Sequence, residues 1–202
     1  MTKIKFCGLS RLCDVDWANV LEVDYIGFVF APQSRRYITD RQAKQLKSRL
    51  NPDITAVGVF VDEKPEIIAN LLKKNIIEAV QLHGNEDKCY IEKLHHLVKA
   101  PIIKTFCIHK ADDILEAEQS NADYILFDTG AGTGKTFDWD LIKKVTRPYF
   151  LAGGLNVENV NEAVDKLLPW AVDVSSGIET SGKKDKEKMT AFVNAVREGR
   201  RL

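Results

Sequence analysis

The sequence predicts a single (β/α)8 barrel, the TIM-barrel fold of the α/β class, on the basis of three observations. Eight short apolar runs recur along the 202 residues, and their starts lie 21 to 29 residues apart. Helix-like amphipathic segments lie between these runs, which is typical of parallel strands covered by helices. Eight such repeats in about 200 residues match the small end of this barrel's size range, whereas a doubly wound open sheet usually has fewer strands in that length.

The eight predicted strands consist largely of aliphatic, β-branched and aromatic residues. They are IKFCG (4–8), YIGFVF (25–30), ITAVGVFV (54–61), AVQLHG (79–84), PIIKTFCI (101–108), YILFDT (124–129), YFLAGGL (149–155) and AVDVSSGI (171–178).

Three of the intervening segments show a clear helical signal. Residues 64–74 carry apolar side chains at helical spacing, and residues 184–197 do the same at the end of the chain. A third helix is expected over 156–166, with Asn156 as its N-cap. Since no Gly/Ser-rich linker or change of composition divides the chain, we expect one domain, a single barrel, over residues 1–202.

The balance of charge limits the classes of partner. Lys plus Arg and Asp plus Glu both number 29, so the chain lacks the basic excess of a non-specific nucleic-acid binder. No run approaches the ~20 apolar residues of a membrane span, and the first residues lack the apolar core of a signal peptide. We therefore expect a soluble cytoplasmic protein that binds neither nucleic acid nor membrane.

The four cysteines have neither the spacing of a zinc site nor the context of disulfides. Cys13, Cys89 and Cys107 are expected to be buried packing residues. Cys7 differs, because it ends the first predicted strand immediately before Gly8. It is either another packing residue or a reactive thiol. Packing is the more common role of an isolated cysteine, and the position at a strand end shifts the balance toward a functional role.

In such barrels the active site forms at the carboxyl ends of the strands. Asp128 ends the sixth apolar strand, where it could act as a general acid or could instead cap the turn that follows. These two roles of Asp128 stay open on the residues alone.

Two glycine- and serine-rich loops follow the last two strands, LAGGLNVENV (151–160) and DVSSGIE (173–179). Small residues allow the backbone to approach a ligand, and barrels often bind phosphate after strands seven and eight. The expected phosphate-binding residues are Gly153, Gly154, Ser175, Ser176 and Gly177. The helix predicted to begin at Asn156 would add a favourable N-terminus.

Two further strand ends carry candidate polar groups. Arg35 and Arg36 follow the second strand, and an arginine there could pair with a substrate carboxylate, while the other is expected to face solvent. His83 follows the fourth strand, where a hydrogen-bonding role in the pocket and a purely structural role are both open.

The segment TGAGTGKT (129–136) nearly matches the phosphate loop of nucleotide hydrolases. Residue 129 is Thr where that motif requires glycine, and FDWD interrupts the run into a helix. We therefore interpret the segment as a glycine-rich lid beside Asp128.

Seven segments occur in order across nearly the whole chain: KFCGLS, SRRYI, VGVFV, QLHG, LFDTGAGTGKTFDW, LAGGLNVENV and DVSSGIETSGKKD. Together they closely resemble the phosphoribosylanthranilate isomerase family of tryptophan biosynthesis. The resemblance implies an Amadori rearrangement of N-(5′-phosphoribosyl)anthranilate to 1-(2-carboxyphenylamino)-1-deoxyribulose 5-phosphate, without a metal or another cofactor.

The resemblance also implies roles for residues at the matching positions. Cys7 would be the general base and Asp128 the general acid. Arg36 would meet the substrate carboxylate, although Arg35, where the family more often has proline, leaves the choice of arginine open. His83 and Asp173 would line the pocket, and the two small-residue loops would hold the phosphate. The implied partner is this small-molecule substrate, and the protein would be a monomer or a homodimer.

Three alternatives remain beside this interpretation. A different phosphosugar barrel is one, but the histidine-pathway isomerase would have a carboxylate where Cys7 stands. A phosphate-binding barrel without catalysis predicts that a base or an acid is missing. A nucleotide hydrolase predicts nucleotide binding that depends on magnesium.

Overall fold

The computed structural model describes residues 1–108, 110–128, 139–143 and 145–198. Within them, eight parallel strands follow one another around a closed barrel, and the eighth pairs with the first. The strands are β1 (Lys3–Cys7), β2 (Tyr25–Val29), β3 (Thr55–Phe60), β4 (Ala79–Leu82), β5 (Ile102–Cys107), β6 (Tyr124–Asp128), β7 (Tyr149–Leu151) and β8 (Ala171–Val174). Each overlaps the corresponding predicted run, which confirms the TIM barrel.

Helices cover the outside of the barrel. The α-helices of the described residues are α1 (Leu12–Leu21), α2 (Asp40–Lys47), α3 (Pro65–Lys73), α4 (Lys88–Leu97), α5 (Ala111–Glu118), α6 (Val160–Leu167) and α7 (Lys186–Glu198). Two short 3-10 helices, Trp139–Ile142 and Ser176–Ile178, follow β6 and β8. A small antiparallel pair, β9 (Glu179–Thr180) and β10 (Lys183–Lys184), precedes α7.

Alternation along the strands divides the side chains between two apolar layers. Outward side chains pack against the helices, as where Phe6 meets Phe192 of α7 with ring centres 6.3 Å apart. Inward side chains, among them Val57, Ile103 and Phe150, form a separate buried cluster inside the barrel. Because the lower barrel is filled in this way, open space for a ligand is expected at the carboxyl ends of the strands.

The helix expected over 156–166 begins later than predicted, at Val160. The Asn156 side chain accepts hydrogen bonds from the backbone amides of Glu158 and Asn159, and the Asn159 side chain accepts one from the amide of Asn156. These side-chain bonds hold a turn where the first helical turn was expected. The Asn156 side chain thus makes the bonds expected of a cap, but the prediction that the helix itself begins directly after Asn156 is wrong.

All four cysteines are free. The prediction that three of them are buried packing residues is wrong for two. Cys89 is exposed in the first turn of α4, and Cys107 is exposed at the end of β5 on the barrel rim. Cys13 is half-buried.

No helix in the described part of the chain is long and apolar enough to cross a membrane.

Candidate active site

Cys7 and Asp128 lie at the same rim of the barrel, as the last residues of β1 and β6. Cys7 packs against the inward residues Val29 and Val59. Asp128 follows the inward-facing Leu126 by two positions, so alternation points its side chain inward as well. The two predicted catalytic residues therefore face one opening.

The thiol of Cys7 lies against Gly27, its register partner on β2. A Cβ at residue 27 would lie 2.8 Å from Cys7 Sγ, so even alanine there would displace the thiol or the strand. On the other side, Ser175 Oγ donates a hydrogen bond of 3.0 Å to the backbone oxygen of Cys7. The base candidate is thus held by both neighbouring strands.

A buried ion pair lies directly below the thiol. Lys5 is completely buried, and its Nζ lies 2.9 Å from both carboxylate oxygens of Asp173. The two residues are register partners on β1 and β8. Lys5 also shares the inward face of β1 with Cys7, two positions away, so its ammonium lies close enough to the thiol to act on it electrostatically.

This arrangement acts on the pKa of Cys7 in two directions. Burial raises the pKa of the Cys7 thiol, and the Asp173 carboxylate adds to the increase. The cations of Lys5 and Lys184 work against it. For Lys5, burial alone would lower the pKa, but Asp173 and Cys7 outweigh it, so the pKa of Lys5 is raised and the ammonium stays charged.

His83 connects the fourth strand end to Asp128. Its Nε2 lies 3.8 Å from Asp128 Oδ2, and its Nδ1 lies 3.3 Å from the amide nitrogen of Gln81. Burial lowers the pKa of His83 more than the nearby Asp128 raises it, so the imidazole is neutral at pH 7. With the side-chain nitrogen of Gln81 donating to Nδ1, the neutral imidazole would carry its proton on Nε2, the nitrogen nearer Asp128.

The two small-residue loops predicted to bind phosphate lie in contact. Gly153 and Gly154 have φ values of 83° and 65°, which side chains other than glycine rarely adopt. A Cβ on Gly177 would clash with the backbone oxygen of Leu155, so the loop after β8 packs on the loop after β7. The Ser175 hydroxyl is already used toward Cys7, whereas Ser176 and Gly177 begin the 3-10 helix.

Arg35 and Arg36 both bind Glu179. Arg36 Nε and Nη2 lie 2.6 and 3.0 Å from its two oxygens, and Arg35 Nη2 lies 2.9 Å from one of them. The Arg35 side chain is 62% exposed and that of Arg36 21%. The expectation that one arginine faces solvent is confirmed for Arg35, although it too contacts Glu179.

Glu179 is held by a further residue, Lys184. Its ammonium lies 2.8 Å from Glu179 Oε1 and also donates to the backbone oxygen of Ser175 at 2.9 Å. Hydrogen bonds from Arg36 and Lys184 overcome the effect of burial and lower the pKa of Glu179 to about 2. Burial lowers the pKa of Lys184, and Glu179 partly offsets this.

Sequence reasoning did not single out Lys5, Glu179 or Lys184. A signal was available for Lys5, because a lysine in the middle of β1 and Asp173 in the middle of β8 are both charged residues within buried strands. A charged side chain within a buried strand requires a partner of opposite charge, and a neighbouring strand can supply it. Glu179 and Lys184 gave no comparable signal, since their strands have only two residues each.

Among the described residues there is no group of three or more His, Cys, Asp or Glu side chains that could hold a metal ion. The segment 129–136, interpreted as a lid, lies outside the described residues, as do the backbone groups that Asp128 would cap.

Comparison with known proteins identifies close relatives over nearly the whole chain. Residues 4–195 match the family described as N-(5′phosphoribosyl)anthranilate (PRA) isomerase. The N-(5′-phosphoribosyl)anthranilate isomerase of Endomicrobium trichonymphae is 45% identical, over 98% of this chain and 99% of its own length.

Solved structures give the same result. The phosphoribosyl anthranilate isomerase of Thermotoga maritima superimposes with a TM-score of 0.91 at 37% identity, covering 98% of this chain and 100% of that one. A phosphoribosyl anthranilate isomerase in complex with reduced 1-(o-carboxyphenylamino)-1-deoxyribulose 5-phosphate gives a TM-score of 0.88, also at 37% identity and with the same coverage.

Proposed function

We propose that Cys7 is the general base and Asp128 the general acid of this chain, which belongs to the N-(5′-phosphoribosyl)anthranilate isomerase family and is an isomerase of tryptophan biosynthesis. The observation that carries the proposal is the position of the two side chains at the ends of β1 and β6, facing one opening above the buried Lys5–Asp173 pair. A base and an acid are thereby available to one bound substrate.

In the proposed mechanism Asp128 protonates the ribose ring oxygen. The C1–oxygen bond breaks, and the nitrogen lone pair forms a protonated Schiff base at C1. This iminium acidifies the C2 proton, which the Cys7 thiolate removes to give an enolamine. Protonation of C1 and loss of the C2 hydroxyl proton then give the ketone. The substrate nitrogen accepts the electron pair, so the mechanism uses no cofactor.

The Lys5 ammonium favours the ionised form of Cys7, against a net effect of the surroundings that raises the pKa of the thiol. Burial disfavours the thiolate, and the nearby ammonium of Lys5 opposes that effect. Asp173 fixes the ammonium through both carboxylate oxygens. The neutral His83 is suited to hydrogen-bond Asp128 or a substrate hydroxyl without adding charge to the pocket.

The substrate's two anionic groups have separate sites in the proposal. Gly153, Gly154, Ser176 and Gly177 bind the phosphate through backbone amides, supported by the contact between the two loops. Arg36 binds the anthranilate carboxylate, since its side chain lies directly over Gly8, next to Cys7. A Cβ on Gly8 would clash with Arg36 Cδ.

The experiment uses phosphoribosylanthranilate made in situ, with a chelator present, and follows the loss of anthranilate fluorescence. We expect wild type to convert the substrate, and Arg36→Met to raise KM about tenfold, the loss of one charge-assisted contact. Arg35→Met is the matched control and should change KM less than about twofold. Equal effects of the two substitutions would refute the assignment of Arg36.

A further inference from the structure

We propose that Glu179 is a positioning residue, which fixes the Arg36 guanidinium for the substrate carboxylate and thereby sets specificity for a carboxylated aromatic ring. This inference rests on the proposed role of Arg36. It concerns a glutamate that has no part in the proton transfers.

The carboxylate of Glu179 binds one edge of the guanidinium and leaves the other available. Its oxygens accept hydrogen bonds from Arg36 Nε at 2.6 Å and from Nη2 at 3.0 Å. This is the side-on bidentate arrangement, which fixes the plane of the guanidinium. Nη1 of Arg36 has no hydrogen-bond partner among the residues that the structure describes. The edge of the guanidinium formed by Nη1 and Nη2 can therefore bind a second carboxylate.

The aliphatic part of Arg36 is also fixed. Its Cδ lies so close to Gly8 that no Cβ would fit there. Gly8 has a φ of 77° and directly follows Cys7. The Arg36 side chain is therefore restrained at two places. Its aliphatic part packs against Gly8, and its guanidinium is hydrogen-bonded to Glu179. The guanidinium thus lies within reach of a substrate that contacts the Cys7 thiol.

Glu179 is itself buried, hydrogen-bonded and ionised. Its side chain is 4% exposed, and Lys184, 2% exposed, donates to Oε1 at 2.8 Å. Lys184 bonds in turn to Ser175, whose hydroxyl donates to the backbone of Cys7. One hydrogen-bonded chain thus connects the arginine, the phosphate loop and the base.

The charges of the cluster leave room for a further anion. Arg35, Arg36 and Lys184 are three cations around the single carboxylate of Glu179. A substrate carboxylate added to this cluster still leaves it cationic, so the anion need not displace Glu179. If Glu179 occupied the place of the substrate carboxylate, it would have to move when the substrate binds. The bonds of Glu179 to Arg35 and Lys184 oppose such a movement.

The test measures binding rather than turnover, so that it stays independent of the catalytic mechanism. The probes are reduced 1-(o-carboxyphenylamino)-1-deoxyribulose 5-phosphate and the same compound without its carboxyl group, both titrated by calorimetry. Wild type should prefer the carboxylated probe. Glu179→Gln should bind it about tenfold more weakly, while its affinity for the probe without the carboxyl group changes less than about twofold.

Each other outcome has a distinct meaning. If wild type does not distinguish the probes, the proposed role of Arg36 fails. If Glu179→Gln distinguishes them as wild type does, or weakens both equally, the positioning role fails while Arg36 stands. Tighter binding of the carboxylated probe by the variant would make Glu179 a competitor and would overturn the inference.

Two further variants serve as controls. Arg35→Met removes the exposed partner of Glu179 and should leave the discrimination unchanged. Glu179→Asp keeps the charge but is too short to hold both contacts with Arg36, so it should lose part of the discrimination. This variant provides the test if Glu179→Gln does not give a folded protein by circular dichroism, and full discrimination by Glu179→Asp would contradict the proposal.

Discussion

At the residue scale, the pKa of Cys7 depends on the charges closest to its thiol. Those charges come from three elements: Lys5 on β1, Asp173 on β8 and Lys184 on β10. Burial and Asp173 raise the pKa of the thiol, and the two lysines oppose this. The sign of each contribution can be tested separately.

We predict that Lys5→Met raises the pKa of Cys7 and that Asp173→Asn lowers it, because the first removes a cation and the second an anion. The rate of iodoacetamide alkylation against pH measures this pKa. All variants are made with Cys13, Cys89 and Cys107 replaced by serine, so that only Cys7 reacts. The alkylation profile should move to higher pH in the first variant and to lower pH in the second.

Folding must be checked in these variants, because removing one partner of a buried ion pair lowers the free energy of unfolding by about 3–5 kcal/mol. The double variant Lys5→Met/Asp173→Asn removes both charges and provides the control. A shift to lower pH, or no shift, in Lys5→Met would contradict the electrostatic role of Lys5, and a shift to higher pH in Asp173→Asn would contradict that of Asp173.

The positions of Cys7 and Asp128 could be predicted from sequence because each ends an apolar strand, and strand ends of a parallel barrel meet at one rim. Lys5 could have been predicted from its place within a buried strand. The pairing of Arg36 with Glu179 could not be predicted, since the two residues are 143 positions apart in the chain. No periodic pattern marks the segment around Glu179, so nothing in it indicates a partner after the second strand.

At the element scale, the β9–β10 hairpin brings Glu179 opposite Lys184. Its two turn residues, Ser181 and Gly182, have φ values of 52° and 77°, as a tight two-residue turn requires. Strands of two residues have no readable alternation, so sequence patterning could not find this hairpin. The start of α6 differs from the prediction for another reason. The Asn156 side chain caps the backbone amides of Glu158 and Asn159, but these residues form a turn and the helix begins only at Val160.

We predict that the ionisation of Glu179 in this hairpin makes the free energy of unfolding depend on pH in the acidic range. The pKa of Glu179 is about 2 in the folded protein, against about 4.3 for an ordinary glutamate. The folded state therefore favours the ionised form, and its contribution is complete above about pH 4.5 and is lost as the pH falls toward 2. Urea unfolding between pH 5 and pH 2.5 should show a steeper loss of stability in wild type than in Glu179→Gln.

Glu187→Gln, at an exposed position of α7, is the matched control and should retain the pH dependence of wild type. If Glu179→Gln lost stability with falling pH as steeply as wild type, the ion cluster around Glu179 would not be the cause.

At the scale of the whole molecule, the order and number of the barrel strands could be predicted because buried parallel strands are continuous apolar runs. The closed barrel then brings residues from both ends of the chain together, as in the pairing of Lys5 with Asp173. Which polar side chains pair at the rim depends on strand register and on side-chain reach, and neither can be derived from periodicity.

The most direct test of the central claim is the rate of fluorescence loss from phosphoribosylanthranilate with wild type, Cys7→Ser and Asp128→Asn, each shown to be folded by circular dichroism. General acid–base catalysis contributes about 10²- to 10⁴-fold, so each substitution should reduce kcat by that order. Near wild-type turnover in Cys7→Ser would return Cys7 to a packing role and contradict the proposed mechanism, and near wild-type turnover in Asp128→Asn would do the same for the acid.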